Sequence, residues 1–220
     1  MMPDSAPSTE RTVVHLVRHG EVDNPTKVLY GRLADFHLSE LGHRMAELAA
    51  EHLADRDVTH LVSSPLERAQ ETMQPLADAV GLPVTLDERV IEAGNDFEGR
   101  TVGADPKQLL HPRFWVKLRN PLRPSWGEPY AHIAARMSAA IDDARDAARG
   151  HEAVIVSHQL PVWTTRRHYE GKRLWHDPRK RECALASVTS LTFVGDDVVS
   201  LSYAEPAASL LPQASKVAGA

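Results

Sequence analysis

The feature that most constrains this chain is a repeated unit, in which a short apolar run stops at polar, turn-forming residues and gives way to a helical pattern. Thr12-Val13-Val14-His15-Leu16-Val17 stops at Arg18-His19-Gly20, a run near 59 to 63 stops at Ser64-Pro65, and Ala153-Val154-Ile155-Val156 stops at Ser157-His158. Runs this short and this apolar suit strands covered on both faces, as in the parallel sheet of an α/β protein. Further strands are predicted near 84 to 86, 188 to 194 and 197 to 203, the last two closing as an edge hairpin through Gly195-Asp196-Asp197.

Helical periodicity fills the gaps. Leu41, Met45, Leu48 and His52 or Leu53 share one face behind a Ser39 cap, and Leu66, Ala69, Met73 and Leu76 share another behind Ser64. Ile133, Met137, Ile141 and Ala144 mark a third helix. The second helix has the clearest start signal: Ser64 as cap, Pro65 at the first helical position, Glu67 completing a capping box. Arg68 is then expected in the first turn, where unpaired backbone donors and the helix dipole favour an oxyanion. The alternation predicts an α/β fold, doubly wound, with a mostly parallel central sheet and helices on both faces. One domain over 12–205 is expected, with a flexible segment 1–11 and a mobile tail 206–220.

The 220 residues suffice for one buried core, and 42% hydrophobic with 25% charged residues is ordinary for a globular domain. A formal charge of −5 argues against general nucleic-acid binding. No apolar run is long enough for a membrane span, and residues 1–11 lack the basic and apolar regions of a signal peptide, so a cytoplasmic location is expected. Cys183 stands alone, which excludes an internal disulfide. His37, His43, His52 and His60 lack the spacing of a helix-borne metal site, and neither a metal nor a cofactor is expected. A homodimer is left open. The stretch 99–129 is rich in proline and carries Arg113, Lys117, Arg119 and Arg123, so it reads as an irregular excursion.

Two histidines and two arginines thus stand at strand exits, the edge where open α/β sheets bind ligands. Arg18-His19-Gly20, Ser63-Ser64-Pro65-Leu66-Glu67-Arg68-Ala69-Gln70-Glu71-Thr72 and Ser157-His158 together resemble the histidine phosphatase superfamily, also called phosphoglycerate-mutase-like, in its shorter phosphatase-type branch. The resemblance implies His19 as a nucleophile that takes up a phosphoryl group. It implies Arg18 and Arg68 as phosphate-binding guanidiniums, whose planar forks match phosphoryl oxygens, and His158 as a donor that stabilises transition-state charge. It also implies that the excursion covers the site, which makes Arg113 and Arg119 candidates for substrate binding.

The acid for the leaving oxygen is read as Glu92, which precedes Glu98-Gly99 much as a family glutamate precedes a similar turn, though one residue closer. Asp96 and Glu98 stay open as rivals; Glu92 is preferred because an acid near a strand end can be desolvated and its pKa raised. Asn24 resembles a phosphate-contacting asparagine but sits one residue early, Val22 stands where the family has a hydroxyl, and Gln159 stands where it often has glycine and is taken as a substrate contact. The activity implied is that of a histidine acid-type phosphatase acting on a small phosphorylated metabolite through a phosphohistidine, without metal. The alternatives are a mutase, disfavoured because dedicated mutases carry a longer excursion, and a phospholigand-binding module without turnover.

Overall fold

The computed structural model describes residues 10–101 and 127–215. Six strands, β1 Arg11–Arg18, β2 Val58–Ser63, β3 Val84–Leu86, β4 Glu152–Ser157, β5 Val188–Val194 and β6 Asp197–Ala204, form one sheet in the order β3-β2-β4-β1-β5-β6. Pairing is parallel from β3 to β1 and antiparallel from β1 through β5 to β6. The predicted strands all appear where the apolar runs placed them.

Among the described residues four helices cover the sheet: α1 Glu40–Ala54, α2 Glu67–Val80, α3 Tyr130–Ala147 and α4 Gln159–Tyr169. Strand alternation splits β1 between two cores. Val14 and Leu16 join Ile133, Met137, Ile141, Val162 and Trp163 under α3 and α4. Val17 joins Met45, Leu53, Met73 and Leu76 under α1 and α2. The sheet is therefore sandwiched, and burial of each of these large side chains stabilises it by about 1.5–3 kcal/mol.

Helix α1 starts as read, with Gly42 N donating to Ser39 Oγ at 3.0 Å. Helix α2 does not. It begins at Glu67, with Leu66 at the cap position and no side-chain cap, while the Ser64 hydroxyl lies 2.8 Å from His158 Nε2 and has only a 3.4 Å contact with Leu66 N. A buried imidazole takes the hydroxyl that the capping box called for. Arg68 still falls in the first turn. Helix α4 has no counterpart in the sequence reading; its Pro161 is tolerated because first-turn N–H groups have no helical partner.

Gly20 is needed for space rather than for an unusual turn. Its φ is not positive, and a Cβ there would meet Gly42 O at 2.5 Å, while a Cβ on Gly42 would meet Glu21 O at 2.0 Å. The loop leaving β1 thus presses on the first turn of α1 through two glycines. The tail reading needs correction over 206–215. Ala207 is buried, Leu210, Leu211 and Ala214 pack on the α1/α2 core, and Ser215 N donates to Glu21 Oε1 at 2.6 Å. Apolar contacts with the α1/α2 core outweigh the small, polar composition on which the mobile reading rested. Arg113, Lys117, Arg119 and Arg123 lie outside the described residues. Among the described residues no helix is long and apolar enough to cross a membrane.

Candidate active site

Strand register gathers the three predicted exits at one sheet edge. Arg18 pairs with Ser157, and Ser63 with Val156. The backbone bonds continue one residue beyond the strands, His19 N donating to Ser157 O at 3.1 Å and Ser64 N to Val156 O at 3.0 Å. His19 and His158 consequently sit with ring centroids 5.1 Å apart, both fully buried.

Each imidazole has one nitrogen assigned and one left open. His19 Nδ1 lies 2.7 Å from the Gly20 carbonyl, which can only accept, so Nδ1 carries the proton and Nε2 keeps its lone pair. Burial, then the charges of Arg68 and Arg18, hold the His19 pKa well below the ordinary histidine value. The ring is therefore neutral at neutral pH. His158 is also held low, by burial and then by Arg68. If Ser64 donates its hydroxyl proton to Nε2, the proton of His158 resides on Nδ1, where it is available as a donor.

Arg68, on the first turn of α2, is fully buried, donates through Nη2 to Gly31 O at 2.5 Å and lies 4.8 Å from the centroid of the Tyr30 ring. Burial lowers its pKa, opposed by Tyr30 and Glu92; guanidinium stays charged all the same. Arg18 donates through Nη1 to Cys183 O at 2.7 Å. Glu92 is buried, its Oε1 accepting from Ala93 N at 2.7 Å, and burial raises its pKa against the backbone bond and the charges of Arg68, Arg181 and Arg18.

Buried polar atoms are nearly always hydrogen-bonded. Here His19 Nε2, Arg18 Nε, Arg68 Nε and Nη1, Glu92 Oε2 and His158 Nδ1 are buried without a partner among the described residues. These atoms include the lone pair of a neutral imidazole, guanidinium donors, an imidazole donor and a carboxyl oxygen. Together they can hold a tetrahedral oxyanion against a nucleophile, with an acid beside it.

The remaining candidates are placed differently. Asp96 is exposed, and Glu98 Oε1 accepts from Arg32 N and Asn95 N at 3.1 and 3.2 Å, so it holds a turn. Asn24 uses its amide to close its own loop, donating to Val28 O at 2.8 Å and accepting from Val28 N at 3.2 Å. Gln159 Oε1 accepts from Arg181 Nη1 at 3.1 Å. Two side chains that sequence reasoning missed stand close by: Tyr30, over Arg68, and Arg181, in the wall of a cavity of ≈ 210 Å³ that Glu92 also lines. No strand end or helix start marks either position. Thr72, the last residue of the second motif, ties the site to α2 by accepting from Gly20 N at 3.1 Å and donating to Arg68 O at 2.7 Å.

The chain is 58% identical over 199 residues to the "Uncharacterized protein Rv0525" of Mycobacterium tuberculosis, an alignment covering 90% of this chain and 98% of that one. It is 33% identical over 152 residues to the "Probable phosphoglycerate mutase GpmB" of Yersinia pestis, covering 68% and 70%. Among solved structures it is similar to mycobacterial glucosyl-3-phosphoglycerate phosphatase Rv2419c, with a TM-score of 0.69, 27% identity and coverage of 88% and 96%. The model of the histidine phosphatase superfamily, branch 1, matches residues 14–206. With that match running from within β1 past the end of β6 and taking in all three strand-exit motifs, this chain belongs to the histidine phosphatase superfamily.

Proposed function

We propose that the protein is a phosphomonoesterase that hydrolyses a small phosphorylated metabolite through a phosphohistidine on His19, without a metal ion. The observation that carries this reading is the convergence of unpartnered buried atoms, with the His19 Nε2 lone pair beside free donors of Arg18, Arg68 and His158. The lone pair forms an N–P bond as the P–O bond to the leaving group breaks, and the leaving oxygen takes the proton of Glu92. Water then attacks phosphorus and gives its proton to the Glu92 carboxylate, the N–P electrons return to Nε2, and orthophosphate leaves. Both guanidiniums and His158 spread the charge on the transferring oxygens. The raised pKa of Glu92 supports its role, because an acid must hold its proton near working pH. The phosphatase named among the similar structures supports hydrolysis, and the mutase named among the relatives keeps transfer to a second hydroxyl as the rival.

Rapid alkaline quenching during turnover of a phosphate monoester tests the reading. The expected product is a base-stable, acid-labile phosphoryl group on His19, absent from His19→Ala together with activity. His158→Ala should slow labelling without moving it, and excess chelator should leave turnover intact. A label on another residue, near wild-type turnover by His19→Ala, or activity restored by a divalent ion after chelation would overturn the proposal.

A further inference from the structure

The proton donor marks the side of the site on which the rest of the substrate lies. Glu92 lines the ≈ 210 Å³ cavity, as does Gly31, whose carbonyl holds Arg68. A leaving group protonated by Glu92 therefore extends into that cavity, and Arg181 stands in its wall. Among the described residues, Arg181 is oriented by neutral acceptors. Its Nε donates to His176 Nε2 at 2.9 Å and its Nη1 to Gln159 Oε1 at 3.1 Å. His176 is in turn fixed by donation from Nδ1 to Leu174 O at 2.7 Å and by the flanking rings of Tyr130 and Trp163, at 5.4 and 6.0 Å. Side chains held this firmly around a guanidinium fix its direction before any ligand arrives.

Charge makes the arrangement informative. Several neighbouring arginines have carboxylate partners: Arg32 and Arg136 share Glu128, and Arg166 pairs with Glu170 and Glu182. Arg181 has no carboxylate within ion-pairing distance among the described residues, a property it shares with Arg18 and Arg68. A phosphoryl dianion answers the charges of Arg18 and Arg68. Arg181 stands in the cavity wall on two neutral acceptors, so a second anionic group in the cavity would answer its charge.

We infer that Arg181 is a specificity-determining residue that binds a second anionic group on the leaving-group side of the substrate, Gln159 and His176 acting as its positioning residues. The inference rests on the phosphatase reading and narrows it: the substrate is a phosphate monoester whose alcohol itself carries a carboxylate or a second phosphate. Gln159 then serves recognition through Arg181 rather than by touching the phosphoryl group.

Competitive inhibition of p-nitrophenyl phosphate hydrolysis by 3-phosphoglycerate and by glycerol 3-phosphate measures the effect, because the two probes share a skeleton and differ by one carboxylate. In the wild type the carboxylate-bearing probe should bind roughly ten- to a hundredfold more tightly, the range expected of a charge-assisted hydrogen bond. Arg181→Gln should bring the ratio of inhibition constants close to one. Arg181→Lys keeps the charge but loses the anchored fork, and should lower the ratio by a smaller factor. A wild-type ratio near one, or a ratio unchanged in both variants, overturns the inference. Failure of the wild type to turn over the aryl phosphate would count against the phosphatase reading instead, and calorimetric titration of the same two probes would still measure the ratio.

Discussion

Glu92 carries a carboxyl group whose pKa burial raises above the usual 4.5, with three arginines opposing the rise. Linkage turns this into a statement about the fold. A group with a raised folded pKa contributes stability below its unfolded value and loses it as pH climbs through the folded value, because the folded protein must then either keep the proton or bury the charge. Glu92→Gln removes the ionisation, so it should raise Tm relative to wild type, and by more at pH about 8 than at pH about 4. Thermal melts across that range test this; a stabilisation that shrinks with rising pH would show that the arginines, not burial, dominate. The same variant should slow glycerol phosphate hydrolysis about 10²–10⁴-fold while costing a nitrophenyl ester little, since nitrophenolate departs without a proton. Equal losses on both esters would make Glu92 a scaffold residue. Arg18, His19, Arg68 and His158 were legible because each sits at a strand exit or a helix start, positions that periodicity locates. Arg181 was not: its partners His176 and Gln159 lie 5 and 22 residues away, and no local pattern announces the contact.

At the scale of elements, Thr72 joins what the chain separates. Its hydroxyl accepts from Gly20 N and donates to Arg68 O, coupling the loop that carries His19 to the helix that carries Arg68. Thr72→Val keeps the shape and leaves the Gly20 N–H buried without a partner, so it should destabilise the fold by about 1–3 kcal/mol. It should also lower kcat, with Thr72→Ser retaining most of both. Denaturant titration and steady-state rates check this, and a fully stable Thr72→Val would refute the coupling. The strands were readable because β1, β2 and β4 are each built around a short apolar run that ends at turn-forming residues. The start of α2 misled for a physical reason. Ser64-Pro65 has every local mark of a cap, yet its hydroxyl meets His158, 94 residues away, and a long-range partner of that kind leaves no local trace. Asn24 is the converse case, a polar residue near a site whose contacts are all to its own loop.

For the whole molecule, the two cores on either face of the sheet make a rigid frame, and the site occupies the edge where that frame leaves polar groups unpaired. The architecture followed from the order of apolar runs and helical patterns, whereas the packing of 206–215 depended on tertiary contacts that composition does not encode. Arg68 buries a charge with two nitrogens unpartnered among the described residues. An anion that fills this position binds the folded chain and not the unfolded one, and so adds stability of about 2.7 kcal/mol at a hundred times its Kd. Orthophosphate should therefore raise Tm by about 5–10 °C at that excess in a chain of this size, an effect that scanning calorimetry would find absent in Arg68→Ala; no shift in wild type at saturating phosphate would argue against an anion site there. Orthophosphate is also what the proposed reaction releases. The molecule should thus be at once protected and restrained by its own product, with turnover throttled wherever free phosphate accumulates.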